Sequence, residues 1–174
     1  MPAGIDSRTL YIGSQGPISS MNIATLYKPG ELGARMFTPQ GLGYQVVLCD
    51  SGPASVAAGD VAFWMNKSQY RVTNKLVDVS LGRNGVAGTF VAVVTPGNYC
   101  AIQISGRGKV KCPLNNMGQG DQFIANSGAA SDAIVTANGT APTQVILGFA
   151  PAAEAAVAGL AAIDLTIGDA APQT

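Results

Sequence analysis

The run GRNGVAGTFVAVVTPGNYCAIQISGRGKVKC, residues 82–112, decides the fold class. It holds two apolar stretches, Thr89–Val94 and Tyr99–Ile104, on either side of Thr95-Pro96-Gly97-Asn98. β-Branched and aromatic residues dominate the first stretch, which suits a pleated surface better than a helix. Pro96 pre-sets a negative φ and Gly97 admits a positive one, the chemistry of a reversing turn. In the second stretch Cys100, Ile102 and Ile104 face one side, and Tyr99, Ala101, Gln103 and Ser105 the other. The reading is a central β-hairpin. It carries no reactive constellation, so function is expected to come from shape.

Similar runs flank the hairpin. Tyr44–Cys49, Val61–Met65, Tyr70–Thr73 and Leu76–Leu81 precede it; Gln122–Ala125, Thr143–Ala150 and Ala161–Ile167 follow it. Turn signals separate them, such as Ser51-Gly52-Pro53, Ala58-Gly59-Asp60, a polar tip at Asn66-Lys67-Ser68, and Asn138-Gly139. About ten short strands at regular spacing predict an all-β fold, a single small β-barrel or a jelly-roll-like β-sandwich. Ala152–Leu160 reads equally as a short helix or a loop between strands. A faint internal repeat is present. Gly85-Val86-Ala87 with Ile102-Gln103-Ile104 resembles Gly148-Phe149-Ala150 with Ile163-Asp164-Leu165, as two similar hairpins in one barrel would.

Residues 1–44 differ from the rest. Gly and Pro punctuate them every few positions, yet Leu10, Tyr11, Ile12, Met21, Ile23, Leu26, Tyr27, Met36 and Phe37 favour burial. An extended N-terminal arm lying across a subunit surface satisfies both facts. The organisation read here is therefore an arm over 1–44 and a β domain over 45–174.

The 174 residues suffice for one domain with a sizeable core. Charged residues make up 11%, well below the typical quarter, which fits a surface largely covered by other protein. All ten Lys and Arg lie within residues 1–112 together with five acids, and the other five acids lie beyond. This asymmetry favours ordered self-assembly, basic region to acidic face. Arg107, Lys109 and Lys111 alternate along one strand face and read as a solvated edge that blocks aggregation, not as a nucleic-acid site.

No His is present, and Cys49, Cys100 and Cys112 show no CxxC spacing, so no metal site and no cofactor are expected. The thiols are expected to be free. Cys100 and Cys112 are placed at the ends of opposite hairpin arms, where a disulfide is not deducible from sequence. His-based triads and acid–base chemistry are excluded by composition, and no Walker A loop or GxSxG elbow occurs. Asp60 and Asp121 each follow a Gly and read as turn residues, and Trp64 as a core or interface aromatic. No enzymatic activity is expected. The opening residues lack a signal-peptide pattern, and no run of about 18 apolar residues occurs, so no membrane association is expected.

Several segments then converge. Lys28-Pro29-Gly30-Glu31-Leu32-Gly33-Ala34-Arg35, Gly43–Val47, Gly59–Trp64, Val86-Ala87-Gly88, Pro96–Gly106 and Gly118-Gln119-Gly120-Asp121 together resemble the head decoration (cement) and related virion proteins of tailed bacteriophages. That resemblance implies a small β-barrel or sandwich on the outer capsid surface of the virion, made in the host cytoplasm. It implies the major capsid protein as partner, self-association as a homotrimer or homodimer, and no nucleic-acid or membrane partner. The arm contacts expected with the capsid are Tyr11, Ile12, Ile23, Leu26, Tyr27, Lys28 and Arg35. The alternative is a receptor- or glycan-binding β domain, which requires Trp64 or Tyr70 to be exposed.

Overall fold

The computed structural model describes residues 32–50, 56–75, 85–112, 117–125, 133–136, 146–153 and 159–167. These form an all-β fold of ten strands: β1 (Arg35–Phe37), β2 (Gly43–Cys49), β3 (Val61–Asn66), β4 (Arg71–Thr73), β5 (Val86–Phe90), β6 (Tyr99–Lys111), β7 (Gln122–Ala125), β8 (Ala133–Thr136), β9 (Ile146–Phe149) and β10 (Leu160–Thr166). The sheet order is β1-β2-β4-β3-β5-β6-β10-β9-β7-β8, with β2 also paired to β6. That extra pairing closes β2, β4, β3, β5 and β6 into a five-stranded barrel. Every ladder is antiparallel except β2 with β4.

Two apolar cores follow from the alternation of side chains. Val47, Cys49, Ala62, Trp64, Val72, Ala87, Phe90, Cys100 and Ile102 belong to the barrel core. The second core joins Val110, Phe123, Leu147, Ala161, Ile163 and Leu165 to Val61, Phe63 and Val86, which sit on the opposite side of β3 and β5 from the barrel core. Phe63, Phe90 and Phe123 are among the largest fully buried side chains, each contributing about 2–3 kcal/mol on burial.

The long strand β6 serves both cores. Its first half pairs with β2 and β5, its second half with β10. The change of partner occurs at Gly106, whose φ of 81° is left-handed and favours glycine. The amide of buried Gln103 spans this bend, donating to the carbonyls of Ser105 (3.1 Å) and Arg107 (3.0 Å). Gly108 leaves room for that amide, since a Cβ there would lie 2.6 Å from Gln103 Oε1.

The internal repeat is real and covers two whole units. The first runs from β2 to the first half of β6, the second from the second half of β6 to β10. Val61, Ala62 and Phe63 pair with Thr89, Gly88 and Val86, with a bulge after Ala62. Gln122, Phe123 and Ile124 pair with Phe149, Gly148 and Ile146, with a bulge after Phe123. Thr89 opposes Gln103 as Phe149 opposes Asp164, and Tyr44 opposes Gln103 as Arg107 opposes Asp164. Even the turns match: Gly59 N–H donates to Phe90 O and Phe90 N–H to Asp60 O, as Gly120 N–H donates to Ala150 O and Ala150 N–H to Asp121 O. The repeat noted in the sequence is thus shifted: Gly88-Thr89-Phe90, not Gly85-Val86-Ala87, corresponds to Gly148-Phe149-Ala150.

Other expectations need correction. The strand expected over Thr89–Val94 stops at Phe90, because its next hydrogen bonds go to the Gly59–Asp60 turn and then, at Val94, to Val56. Val93 is left 71% exposed. The glycine-spaced residues after Ile104 continue β6 instead of ending it. Cys100 and Cys112 do not end opposite arms: Cys100 lies on β6 and Cys112 follows its last residue. Arg107 and Lys109 are solvated as expected, yet their half of β6 is paired to β10 from Ser105 to Lys111 and is no free edge on that side. Within the segment read as an arm, residues 35–37 and 43–44 are strand. The Leu76–Leu81 strand and the Asn138-Gly139 turn lie outside the described residues.

Candidate functional surface

Tyr11, Ile12, Ile23, Leu26, Tyr27 and Lys28 lie outside the described residues. Arg35, the remaining expected contact, is exposed on β1. What is described is the place where that segment enters the sheet. Gly33 N–H donates to Val46 O at 2.9 Å, Val46 N–H donates to Ala34 O at 2.9 Å, and the Gln45 amide donates to Gly33 O at 3.3 Å. The Tyr70 ring closes over Gly33, leaving a Cβ there only 2.5 Å from Tyr70 Cε2. Tyr70 in turn makes an edge contact with Trp64, ring centroids 6.4 Å apart. It reaches this position from a left-handed backbone (φ 51°) after the 3₁₀ turn Lys67–Gln69, whose N-terminus is capped by Asn66 Oδ1.

Beside this root, β1 alternates Arg35 and Phe37 outward with Met36 against the barrel core. Phe37 is 61% exposed, a large apolar side chain facing water. The Thr38–Leu42 turn holds β1 in register, with Thr38 N–H donating to Leu42 O (2.9 Å) and Leu42 N–H to Thr38 Oγ1 (3.2 Å).

A second surface was not foreseen from the sequence. Arg107, Asp164, Phe149 and Gln122 are directly opposed across β6, β10, β9 and β7, so their side chains share one face. Arg107 Nε approaches Asp164 Oδ1 at 3.4 Å, and Phe149 is 37% exposed between Asp164 and half-buried Gln122. The alternation Ala161, Ile163, Leu165 in and Ala162, Asp164 out was the available signal; the cross-strand register was not.

The polar candidates resolve into structure. Asp60 Oδ2 accepts from Ala57 N–H (3.0 Å) and from the Asn74 amide (2.9 Å), and Lys111 Nζ lies 3.8 Å from Oδ1. Asp121 Oδ2 accepts from Gly118 N–H (2.7 Å). Both are turn residues, as their Gly-Asp context indicates. Arg71 pairs with Asp50 at the barrel rim. Trp64 is buried and Tyr70 half-buried over Gly33, so neither offers an open stacking platform. The three cysteines are buried and form no disulfide, and burial with Cys49 close by pushes the Cys100 thiol well up. Burial also raises the Tyr44 hydroxyl. Among the described residues no group of His, Cys, Asp and Glu is placed to hold a metal ion, and no helix is long and apolar enough to cross a membrane.

No family model and no curated protein matches this chain. Among solved structures it is similar to the head fiber gp8.5 N base in bacteriophage phi29, at 14% identity and a TM-score of 0.46, with 73% of this chain and 96% of that chain covered.

Proposed function

We propose that this chain is a structural protein of a tailed-phage virion, seated on the outer capsid surface. In this reading it cements the shell by bridging neighbouring major capsid subunits and acts as a homotrimer or homodimer. The rigid part is the duplicated β fold, and the reaching part is the segment that enters the sheet at Gly33. The observation that carries the reading is this root: backbone bonds to β2 and the Tyr70 ring clamp the chain beside exposed Arg35 and Phe37. A segment so anchored transmits load from a partner surface into the barrel instead of peeling away.

Each contact is modest. Apolar burial contributes about 25 cal/mol per Å² before ordering costs, and repetition around a closed shell multiplies it. The sequence resemblance and the low charge content support the same reading.

The test removes residues 1–30 and measures co-sedimentation with undecorated capsid shells. The expected result is a folded β domain, by circular dichroism and unchanged melting, that no longer binds. Binding at full occupancy by the truncated protein overturns the arm's role.

A further inference from the structure

We infer that the Lys111 amine and the Asn74 side-chain amide join in an isopeptide bond within the chain, with Asp60 carrying the protons. The internal duplication separates this arrangement from ordinary turn structure. Both Gly-Asp turns make the same backbone bonds, and in each the carboxylate accepts from the N–H three residues before it, Ala57 or Gly118. The second unit builds its turn with Val135 at the register position of Asn74, since Phe63 opposes Thr73 as Ile124 opposes Ile134. Asn74 and Lys111 are therefore additions at Asp60 that the turn itself does not need.

The additions form a reacting set. The Asn74 amide donates to Asp60 Oδ2 at 2.9 Å, and Lys111 Nζ lies 3.8 Å from Oδ1. One carboxylate thus has a primary amide on one oxygen and an amine beside the other. Asp60 is 3% exposed and Asn74 9%, which shields the amide from hydrolysis by water. Asp60 Oδ1 is buried and accepts no hydrogen bond, a costly state for a carboxylate oxygen. Nζ at 3.8 Å is too distant to supply that bond, whereas the N–H of an isopeptide bond is a ready donor. The flexible four-carbon stem of lysine carries Nζ across the carboxylate to Asn74 Cγ. Asp60 takes a proton from the Lys111 ammonium, and the freed lone pair forms the Nζ–Cγ bond while the carbonyl π pair moves onto Asn74 Oδ1. The carbonyl then re-forms, the Cγ–Nδ2 bond breaks, and Nδ2 leaves with its bonding pair. Asp60 relays to it the protons that Nζ gives up, so it departs as ammonium. One ammonium is consumed and one released, and nothing is oxidised or reduced. The product ties the residue after β4, in the first unit, to the last residue of β6, in the second.

The test is mass spectrometry of the full-length protein after incubation in the folded state. Its intact mass is expected to fall short by about 17 Da, the mass of ammonia, against Lys111→Arg corrected for the substitution. A digest is expected to hold a branched peptide joining Lys111 to Asn74, with no tryptic cleavage after Lys111. Asn74→Ala and Asp60→Ala are each expected to lack the branch, and circular dichroism of every variant checks the fold. Lys111→Arg keeps the charge beside Asp60, so it reports on the bond even where Asp60→Ala does not fold. A parent that matches the Lys111→Arg reference overturns the inference. A loss of that size mapping to any other residue in the digest overturns it as well. Branch formation at the parent's level in folded Asp60→Ala overturns the role of Asp60.

Discussion

Gly88 and Gly148 occupy one and the same place in the two units. A Cβ on Gly88 would collide with the carbonyl oxygen of Gln103, and a Cβ on Gly148 with that of Asp164. The nearest side chains also belong to corresponding residues, Ile102 with its Cδ1 at 3.2 Å and Ile163 with its Cγ1 at 2.9 Å. Each glycine follows a bulge residue, and the strand alongside comes closer there than a side chain permits. Gly88→Ala and Gly148→Ala are therefore each expected to cost about 2–3 kcal/mol, because rigid backbone has to move. Urea denaturation checks this through the midpoint. Gly118→Ala, whose Cβ meets nothing nearer than 3.4 Å, is the control and is expected to cost under about 1 kcal/mol.

Much of this was legible in the chain. Tyr44–Cys49, Val61–Met65 and Gln122–Ala125 show their strands because apolar, β-branched residues run between turn signals. The duplication was legible only as a trace. Ile102-Gln103-Ile104 and Ile163-Asp164-Leu165 align, but the bulges at Ala87 and Leu147 break the spacing on the facing strands. The Arg107–Asp164–Phe149–Gln122 row was not legible, because it depends on the register of four strands whose connections differ in length. The continuation of β6 through Gly106 and Gly108 was hidden for a different reason. Glycine ordinarily ends a strand pattern, and here the Gln103 amide supplies the hydrogen bonds that hold the bend.

The two Gly-Asp turns, alike in backbone, are expected to differ in energy. Asp60 is 3% exposed and serves Ala57 N–H, the Asn74 amide and Lys111 together. Lys111 belongs to the second unit, so the carboxylate also ties the units, as does the bond from Lys111 N–H to Gly59 O at 2.7 Å. Asp60→Ala is expected to cost about 3 kcal/mol, since it strips buried donors of their shared acceptor. Asp121→Ala, at an exposed turn, is expected to cost about 1 kcal/mol. Paired denaturation curves check the difference.

Gln103 is expected to govern the bend in β6. Gln103→Met keeps approximate volume but withdraws both hydrogen bonds from the Ser105 and Arg107 carbonyls, at a cost of about 2 kcal/mol. The effect is local, so amide hydrogen exchange should rise over residues 105–109 while Ala62 and Phe90 in the barrel stay protected. Uniform acceleration across the barrel would show instead that Gln103 matters through packing.

Cys100 links burial to alkaline stability. Its thiol is raised well above its ordinary value, first by burial and then by Cys49. The unfolded thiol ionises near pH 8.5. Below that pH both states keep the proton and the stability is fully present. Above it the unfolded chain releases its proton while the folded chain retains it, so the unfolded state binds fewer protons and stability falls as pH rises. Tyr44, also raised by burial, adds a fall of the same sign at higher pH. Urea midpoints measured from pH 7 to pH 10 are therefore expected to decline above about pH 8.5. Cys100→Ala is expected to lessen that decline, at the cost of a small cavity in the barrel core. In the native protein at pH 8, iodoacetamide should label Cys100 only as fast as the barrel opens, so its labelling rate should rise with added urea.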